Sequence, residues 1–541
     1  MGFEQIKGMM DFHFVDFHAG WFPSKNRRDI PGAYYTSQQM PKYLANGFSD
    51  CQHCIWFEDS LRKFFGYTAV NATSASAKGV GIGSADWLGE LTQFAIFGTT
   101  FYEEGSGTLT DRTGAVTLNA SMPYELRTHE QGANHFVIGG NGYGDMFKWT
   151  GAGNDIADLA GSPHKYKSFD YYGERWWGVR LTADKWNFLY GSDLTNPESN
   201  WNDSGVIFPF KDTLTGCISV GSWLAVVSEG SVGTLEGFGR TSFQKEEHVF
   251  NVGTKAHRSL RRGTLRDYQY GWLEGFFMVT EQGPMFISEG KKVYPLGHAM
   301  NETWNDTTGV NKSALDTCCA AFMDDHKWFV FAVPWGAATE PNKLFVIDTS
   351  RPVFYQNQIT YPIWQMPTIL GASNYVRDLR VIKDSNEDEW LYMQDDEGRY
   401  YKFSPDELNY YPLNVKTGIQ AHAQSKVHDL KGQFKIREPQ MFAKVVGDWE
   451  VDFYLRFDRE TGDGSYGSLN LAEEADVLTT SFTLGASALG GKTYVHGYVD
   501  GVTGYGNLAQ FMFKNYDADE SFNIEELVMW MKFIRQPVLR R

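Results

Sequence analysis

The feature that most constrains this chain is a recurrence. Groups of short apolar runs return along most of its length. One covers Phe136 to Trp149. A second pairs Arg175-Trp-Trp-Gly-Val with Trp186 to Ser192, and a third joins Cys217 to Val220, Trp223 to Val227 and Val232 to Leu235. The others are Gly271 to Thr280 with Pro284 to Ile287 and Lys292 to Leu296, Cys318 to Val333 with Leu344 to Asp348, and Leu379 to Ile382 with Trp390 to Met393 and Tyr400 to Phe403. Most runs are bounded by Gly, Asp, Asn or Ser, as strands are. The groups are spaced by roughly 40 to 60 residues, the scale of a four-stranded blade. Radial repetition needs units of similar size, so the spacing predicts an all-β chain built on a β-propeller of six or seven blades. A literal echo, Asn200-Trp-Asn-Asp-Ser-Gly-Val against Thr303-Trp-Asn-Asp-Thr-Thr-Gly-Val, strengthens the impression of repetition.

Composition agrees. The 541 residues include 17 Trp, 28 Tyr and 39 Phe, and 56 Gly against 18 Pro, which suits short strands and tight turns. Amphipathic helical stretches are nearly missing; Asp59 to Phe65 and Leu471 to Val477 are the short candidates. The net charge of −17 argues against a surface that grips nucleic acid throughout. Glu4, Lys7 and Asp11 interrupt the opening residues, so no secretory leader is expected there, and Ile6 breaks the myristoylation pattern. No apolar run approaches the ~18 residues of a membrane span, and no membrane insertion is expected. Five cysteines in a chain this long do not make a disulfide framework and fit assembly in a reducing cytoplasm.

Three domains are expected: an irregular N-terminal arm over 1–50, the propeller over 51–412, and a β-sandwich-like module over 415–541. The last begins where the blade rhythm stops and longer alternating strands such as Trp449 to Phe457 take over.

Motifs of catalysis are not apparent, and the chain is expected to be non-enzymatic with no cofactor. Cys51-Gln-His-Cys54 supplies two soft ligands where zinc needs four, and buried thiols are the expected outcome. Gly79-Val-Gly-Ile-Gly-Ser84 is followed by no βαβ unit, so it is not read as a phosphate loop. The acidic runs Asp384 to Glu389 and Asp395 to Glu397 lack calcium-loop spacing and are expected to be solvated hairpin loops. Against the acidic background one basic stretch stands out. It contains Lys255, Arg258, Arg261, Arg262 and Arg266, with no acid between the first and last. Guanidinium forks suit interfacial carboxylates and phosphates alike, so these five are the candidates for a subunit contact or a channel lining.

Several segments, in their order, resemble the tail-hub or nozzle-type β-propeller proteins of short-tailed bacteriophages, the packaged-DNA stabilisation and head-completion family. They are Asp29-Ile-Pro-Gly-Ala-Tyr-Tyr35, Leu61 to Asn71, Trp186 to Asn202, the order from Leu214 through Leu235 to Glu289-Gly-Lys-Lys-Val-Tyr-Pro-Leu296, Tyr505 to Asn515 and Phe522 to Trp530. The chain departs from that pattern at Phe64-Phe65, where a more basic turn is usual, and in a longer insertion around Gly462 to Leu489. The resemblance implies a homohexameric ring in the virion tail, assembled in the host cytoplasm. It would sit below the portal and adaptor proteins, with fibre or needle proteins nearby and duplex DNA passing through its channel. Two other roles fit the same sequence: a carbohydrate-binding or glycan-cleaving propeller in receptor recognition, and a baseplate or adaptor protein of a long-tailed phage.

Overall fold

The computed structural model describes residues 47–404 apart from short gaps at 58–59, 72, 88–89, 132–133, 162, 182–185, 240–241, 356–357 and 367–374. It also describes 10–15, 17, 19–21, 409–410, 417–425, 427–444, 450–458, 464–470, 494–499, 502–517 and 521–535. The fold is all-β, with a seven-bladed propeller at its centre. Six blades are four-stranded antiparallel sheets, and the seventh belongs to a six-stranded sheet. The inner strands are Gly79–Trp87, Glu125–Gln131, Tyr166–Tyr172, Leu214–Val220, Arg261–Asp267, Cys319–Met323 and Asp378–Lys383, here numbered blades 1 to 7. Each lies beside the next, and that of blade 7 lies beside that of blade 1, so the ring is closed.

Closure is made by an early strand. Blade 7 takes three strands from Asp378–Lys383, Glu389–Gln394 and Tyr400–Ser404, and its fourth strand is Gly66–Ala69, paired Phe403 with Tyr67, beyond which Asn409–Tyr410 and Thr417–Gly418 extend the sheet. The buried Asn71 latches this join: its Nδ2 donates to Gly398 O at 2.9 Å and its Oδ1 accepts from Tyr400 N at 3.0 Å.

Neighbouring blades are held by separate apolar cores, because strand side chains alternate between faces. In blade 1, Phe94 and Ile96 pack with Val137 and Trp149 of blade 2, while Ala95 and Phe97 pack with Ile382 and Tyr392 of blade 7. The glycine-rich run Gly79 to Ser84 is the inner strand of blade 1. A side chain at Gly83 would strike the Phe94 ring at 2.6 Å, so its glycines serve close packing rather than a ligand.

The expected arm and sandwich-like module meet in one structure. Strands Met10–Val15, Gly20–Trp21, Gly47–Gln52, Cys54–Phe57 and Ser60–Lys63 join the C-terminal strands in a single 12-stranded sheet. Met10–Val15 pairs antiparallel with Asn523–Arg535, and Gly47–Gln52 with Ala421–Ser425. The division at residue 50 therefore does not follow the sheets, because blade strands begin only at Gly66. Ser60–Lys63, inside the helix candidate Asp59 to Phe65, is a hairpin strand paired with Cys54–Phe57. The candidate Leu471 to Val477, the segment Asp29 to Tyr35 and most of the Gly462 to Leu489 insertion lie outside the described residues.

The two tryptophan echoes do not mark equivalent blade positions. Trp201 lies in the loop between the outer strands of blade 3, and Trp304 in a single helical turn, Asn301–Asn305, between blades 5 and 6. Both rings are fully buried and donate to a backbone carbonyl, of Tyr190 and Glu281. Both loops close alike, Gly205 N on Asn202 O and Gly309 N on Asp306 O, each at 3.0 Å. The echo encodes a local turn.

Candidate functional site

Charged residues are rarely buried unless paired, so a buried charged cluster is the place to look first. Here it fills the propeller axis. Glu125 and Arg127 project from the inner strand of blade 2, Asp170 from blade 3, Arg261 and Arg262 from blade 5, and Asp378 and Arg380 from blade 7, with Arg258 just before blade 5. The strand period explains the pairs: in Glu125-Leu-Arg127 and Asp378-Leu-Arg380 the charged residues face the axis and each leucine is buried between blades.

The contacts run across the ring. Arg258 Nη2 lies 2.9 Å from Asp378 Oδ1 and also donates to the Arg377 carbonyl, with both charged side chains almost wholly buried. Arg380 reaches Asp378 at 3.4 Å and Glu125 at 3.7 Å. Glu125 is also 2.7 Å from Arg127, as an ion pair outside hydrogen-bonding geometry, and 4.0 Å from Arg261. Arg262 Nη2 meets Asp170 at 2.6 Å and donates to Ser219 Oγ. Blades 5 and 2 are three positions apart, so their side chains can meet only across the axis. The propeller centre is thus filled by its own side chains.

The electrostatics follow from burial. Burial would push the Glu125 carboxyl up, but the guanidiniums of Arg127, Arg380 and Arg261 outweigh it and hold it down at about 2. Burial, then neighbouring Lys167, lowers His257 to about 3, so this imidazole is neutral. Burial and the nearby Arg380 lower Arg261 to about 9, still far enough above neutrality for the guanidinium to stay charged.

The five residues expected at an interface or channel are not brought together on one surface. Arg258 and Arg261 are buried with partners inside the chain, so the expectation that they form a subunit contact is corrected. Arg262 is half-exposed at the rim of the axial cluster. Lys255 is on the surface between Glu229, at 3.8 Å, and Glu281, at 3.3 Å. Arg266 is exposed, and its carbonyl accepts from the Tyr361 hydroxyl. Sequence reading missed Glu125, Arg127, Asp170, Asp378 and Arg380. The signal that finds four of them, all but Asp170, is the acid-Leu-Arg triplet opening two strands.

All five cysteines are buried and free, and burial pushes the Cys51 thiol well up. No cluster of three metal-ligating side chains occurs among the described residues. Among those residues no helix is long and apolar enough to cross a membrane. The acidic runs are hairpin turns that cap themselves. Asp384 accepts from Asn386 N, Asp388 N and the Trp390 indole. Asp395 is buried rather than solvated, because it accepts from Glu397 N, Arg399 N and the Tyr401 hydroxyl.

No family model matches the chain, and no curated protein does. Similar solved structures include the extracellular domain of a hybrid two-component system from B. thetaiotaomicron, at 10% identity and TM-score 0.38, covering 75% of this chain and 44% of that one. YCF48 bound to D1 peptide is similar at 12% identity and TM-score 0.34, covering 63% and 96%. The N-terminal domain of Nup159 is similar at 9% identity and TM-score 0.35, covering 64% and 96%.

Proposed function

We propose that the chain is a non-enzymatic structural subunit of a bacteriophage tail, one copy of a hexameric hub or nozzle ring below the portal and adaptor that conducts and helps retain the genome. The order of segments that resembles the tail-hub family supports this reading. The observation that carries it furthest is the filled axis. A propeller whose centre is occupied by ion pairs spanning non-adjacent blades offers no path through itself, so a DNA conduit is built between copies, with each propeller as a rigid wall block. A net charge of −17 suits a wall that does not hold the phosphate backbone.

The test is electron microscopy of the purified protein and of the particle. A closed ring of copies around an open lumen is the expected result. A monomer at the tail periphery overturns the reading. Tight duplex binding that survives moderate salt counts against a slippery wall.

A second reading has its own observation. Tyr268, Tyr270 and Trp272 crowd one hairpin of blade 5 and are 63%, 62% and 49% exposed. Exposed flat rings of this kind suit stacking on sugars, which favours a receptor-binding role for that hairpin. Screening a glycan array with the protein and with Tyr270→Ala and Trp272→Ala separates the two: binding lost in both variants supports the receptor reading, and a blank array removes it.

A further inference from the structure

The axial cluster is not electrically balanced. Five guanidiniums, those of Arg127, Arg258, Arg261, Arg262 and Arg380, face three carboxylates, those of Glu125, Asp170 and Asp378. Arg261 is where the imbalance falls. Its Nε donates to Ala320 O at 2.6 Å and its Nη1 to Leu260 O at 2.8 Å, both neutral acceptors. Its nearest carboxylate, Glu125 at 4.0 Å, is already shared by Arg127 and Arg380. Its Nη2 is buried and has no hydrogen-bond partner. A buried donor left unsatisfied carries an uncompensated desolvation cost, larger when the group is charged.

Arg261 also lines a cavity of about 340 Å³ with Arg127, Arg262 and Asp170 on its polar side and Trp176 and Leu260 on its apolar side. That volume is within the range of small-molecule pockets. We propose that this cavity is a binding site for a small organic monocarboxylate, whose charge is matched by the guanidiniums of Arg127, Arg261 and Arg262 on its wall and whose apolar body lies against Trp176 and Leu260. A carboxylate matches the planar guanidinium fork. One negative charge reduces the excess without reversing it. Asp170 on the same wall disfavours dianions such as inorganic phosphate, and the indole favours an acid with a hydrocarbon or aromatic body over a bare ion. This inference does not depend on ring assembly.

Benzoate, its neutral isostere benzamide and inorganic phosphate are titrated into the full-length protein by calorimetry, with thermal unfolding as a second readout. Benzoate is expected to bind once per chain and raise the melting temperature, and benzamide to bind at least about tenfold more weakly, the loss of one charge-assisted hydrogen bond. Phosphate is expected not to compete. Arg261→Met removes the anchoring charge at similar length and is expected to abolish benzoate binding. Because that variant can fail to fold, Arg262→Gln at the half-exposed rim is tested beside it and is expected to weaken benzoate while leaving benzamide unchanged. Equal binding of benzoate and benzamide, no saturation by benzoate up to about 10 mM, tighter binding of phosphate, or undiminished benzoate binding by folded Arg261→Met each overturns the proposal.

Discussion

The propeller axis and the core of the 12-stranded sheet solve the same problem in opposite ways. In the sheet, Phe14, Phe17, Phe453, Phe511 and Phe513 meet ring to ring, with Phe14 5.2 Å from Phe511 and Phe453 5.7 Å from Phe513. At the axis, guanidiniums and carboxylates from four blades meet instead. Apolar packing is non-directional and tolerates exchange of one shape for another of similar volume. A buried ion pair does not, because removing one partner leaves the other charged and desolvated. The axis therefore fixes which blades face one another, while the sheet supplies bulk burial that joins the two ends of the chain.

The sharpest way to break this comparison is a pair of near-isosteric substitutions. Asp378→Asn keeps the shape but leaves Arg258 and Arg380 short of a charge, and is expected to destabilise by about 3–5 kcal/mol. Phe513→Leu in the sheet is expected to cost about 1–2 kcal/mol. Urea unfolding followed by tryptophan fluorescence measures both. If Asp378→Asn costs no more than Phe513→Leu, the axis is not a charge-specified lock.

Acid distinguishes the regions next. Glu125 is held at about 2, below the ordinary 4.5, so its stabilisation is complete above the ordinary value and is lost as pH falls from about 4.5 toward 2. His257 is neutral when folded, at about 3, and the unfolded chain takes up its proton below about 6.5. Its effect has the same sign, with stability lost as pH falls between those values. Burial also lowers His53, at the sheet beside blade 6, to about 4, and it adds in the same direction. His257→Gln is expected to move the acid-unfolding midpoint to lower pH, whereas Phe513→Leu lowers stability by a similar amount at every pH. An unchanged midpoint in His257→Gln means that the imidazole is not buried neutral.

The same contrast explains what was legible in the sequence. The middle strands of the blades are apolar runs, such as Trp223–Ser228 and Trp328–Val333, so the blade spacing was readable, and the inner strands begin 41 residues apart at the closest, Glu125 to Tyr166, and 59 at the widest, Cys319 to Asp378. The inner strands themselves were harder. Glu125–Gln131 and Arg261–Asp267 carry charge because their side chains pair across the axis, so one escaped notice and the other was read as part of a subunit contact or channel lining. Blade 1 was obscured by glycines that its close packing requires. The shared sheet of the two termini was not legible, since pairing Met10 with Met531 is a long-range choice that no local pattern records. The cross-axis partners of the axial arginines were likewise hidden, because they lie up to 255 residues away, as in Arg380 and Glu125.

Ring closure gives an intermediate effect. Asn71→Ala removes both bonds that pin the closing strand to blade 7 and leaves Tyr400 N without its acceptor, for an expected loss of about 1–3 kcal/mol. Hydrogen exchange should show the loss concentrated in Gly66–Ala69 and Tyr400–Ser404. A uniform loss over all blades would mean that the ring opens elsewhere.

The smallest effect is the most discriminating for its distance along the chain. Lys255 and Arg258 are three residues apart, and both were candidates for the same role. Lys255 holds its ammonium in water between Glu229 and Glu281, where solvent and salt screen it, so Lys255→Ala is expected to change stability by less than about 0.5 kcal/mol. Its remaining effect should vanish between low and high salt, because exposed pairs are screened. Arg258→Ala, by contrast, strands the buried carboxylate of Asp378 and should cost several kcal/mol (about 3–5) at either salt. A Lys255→Ala variant that folds as well as the parent but no longer forms a ring would assign that lysine to a subunit contact. A variant that neither destabilises nor disassembles leaves the basic stretch with one task, which is to carry charge from the surface to the axis.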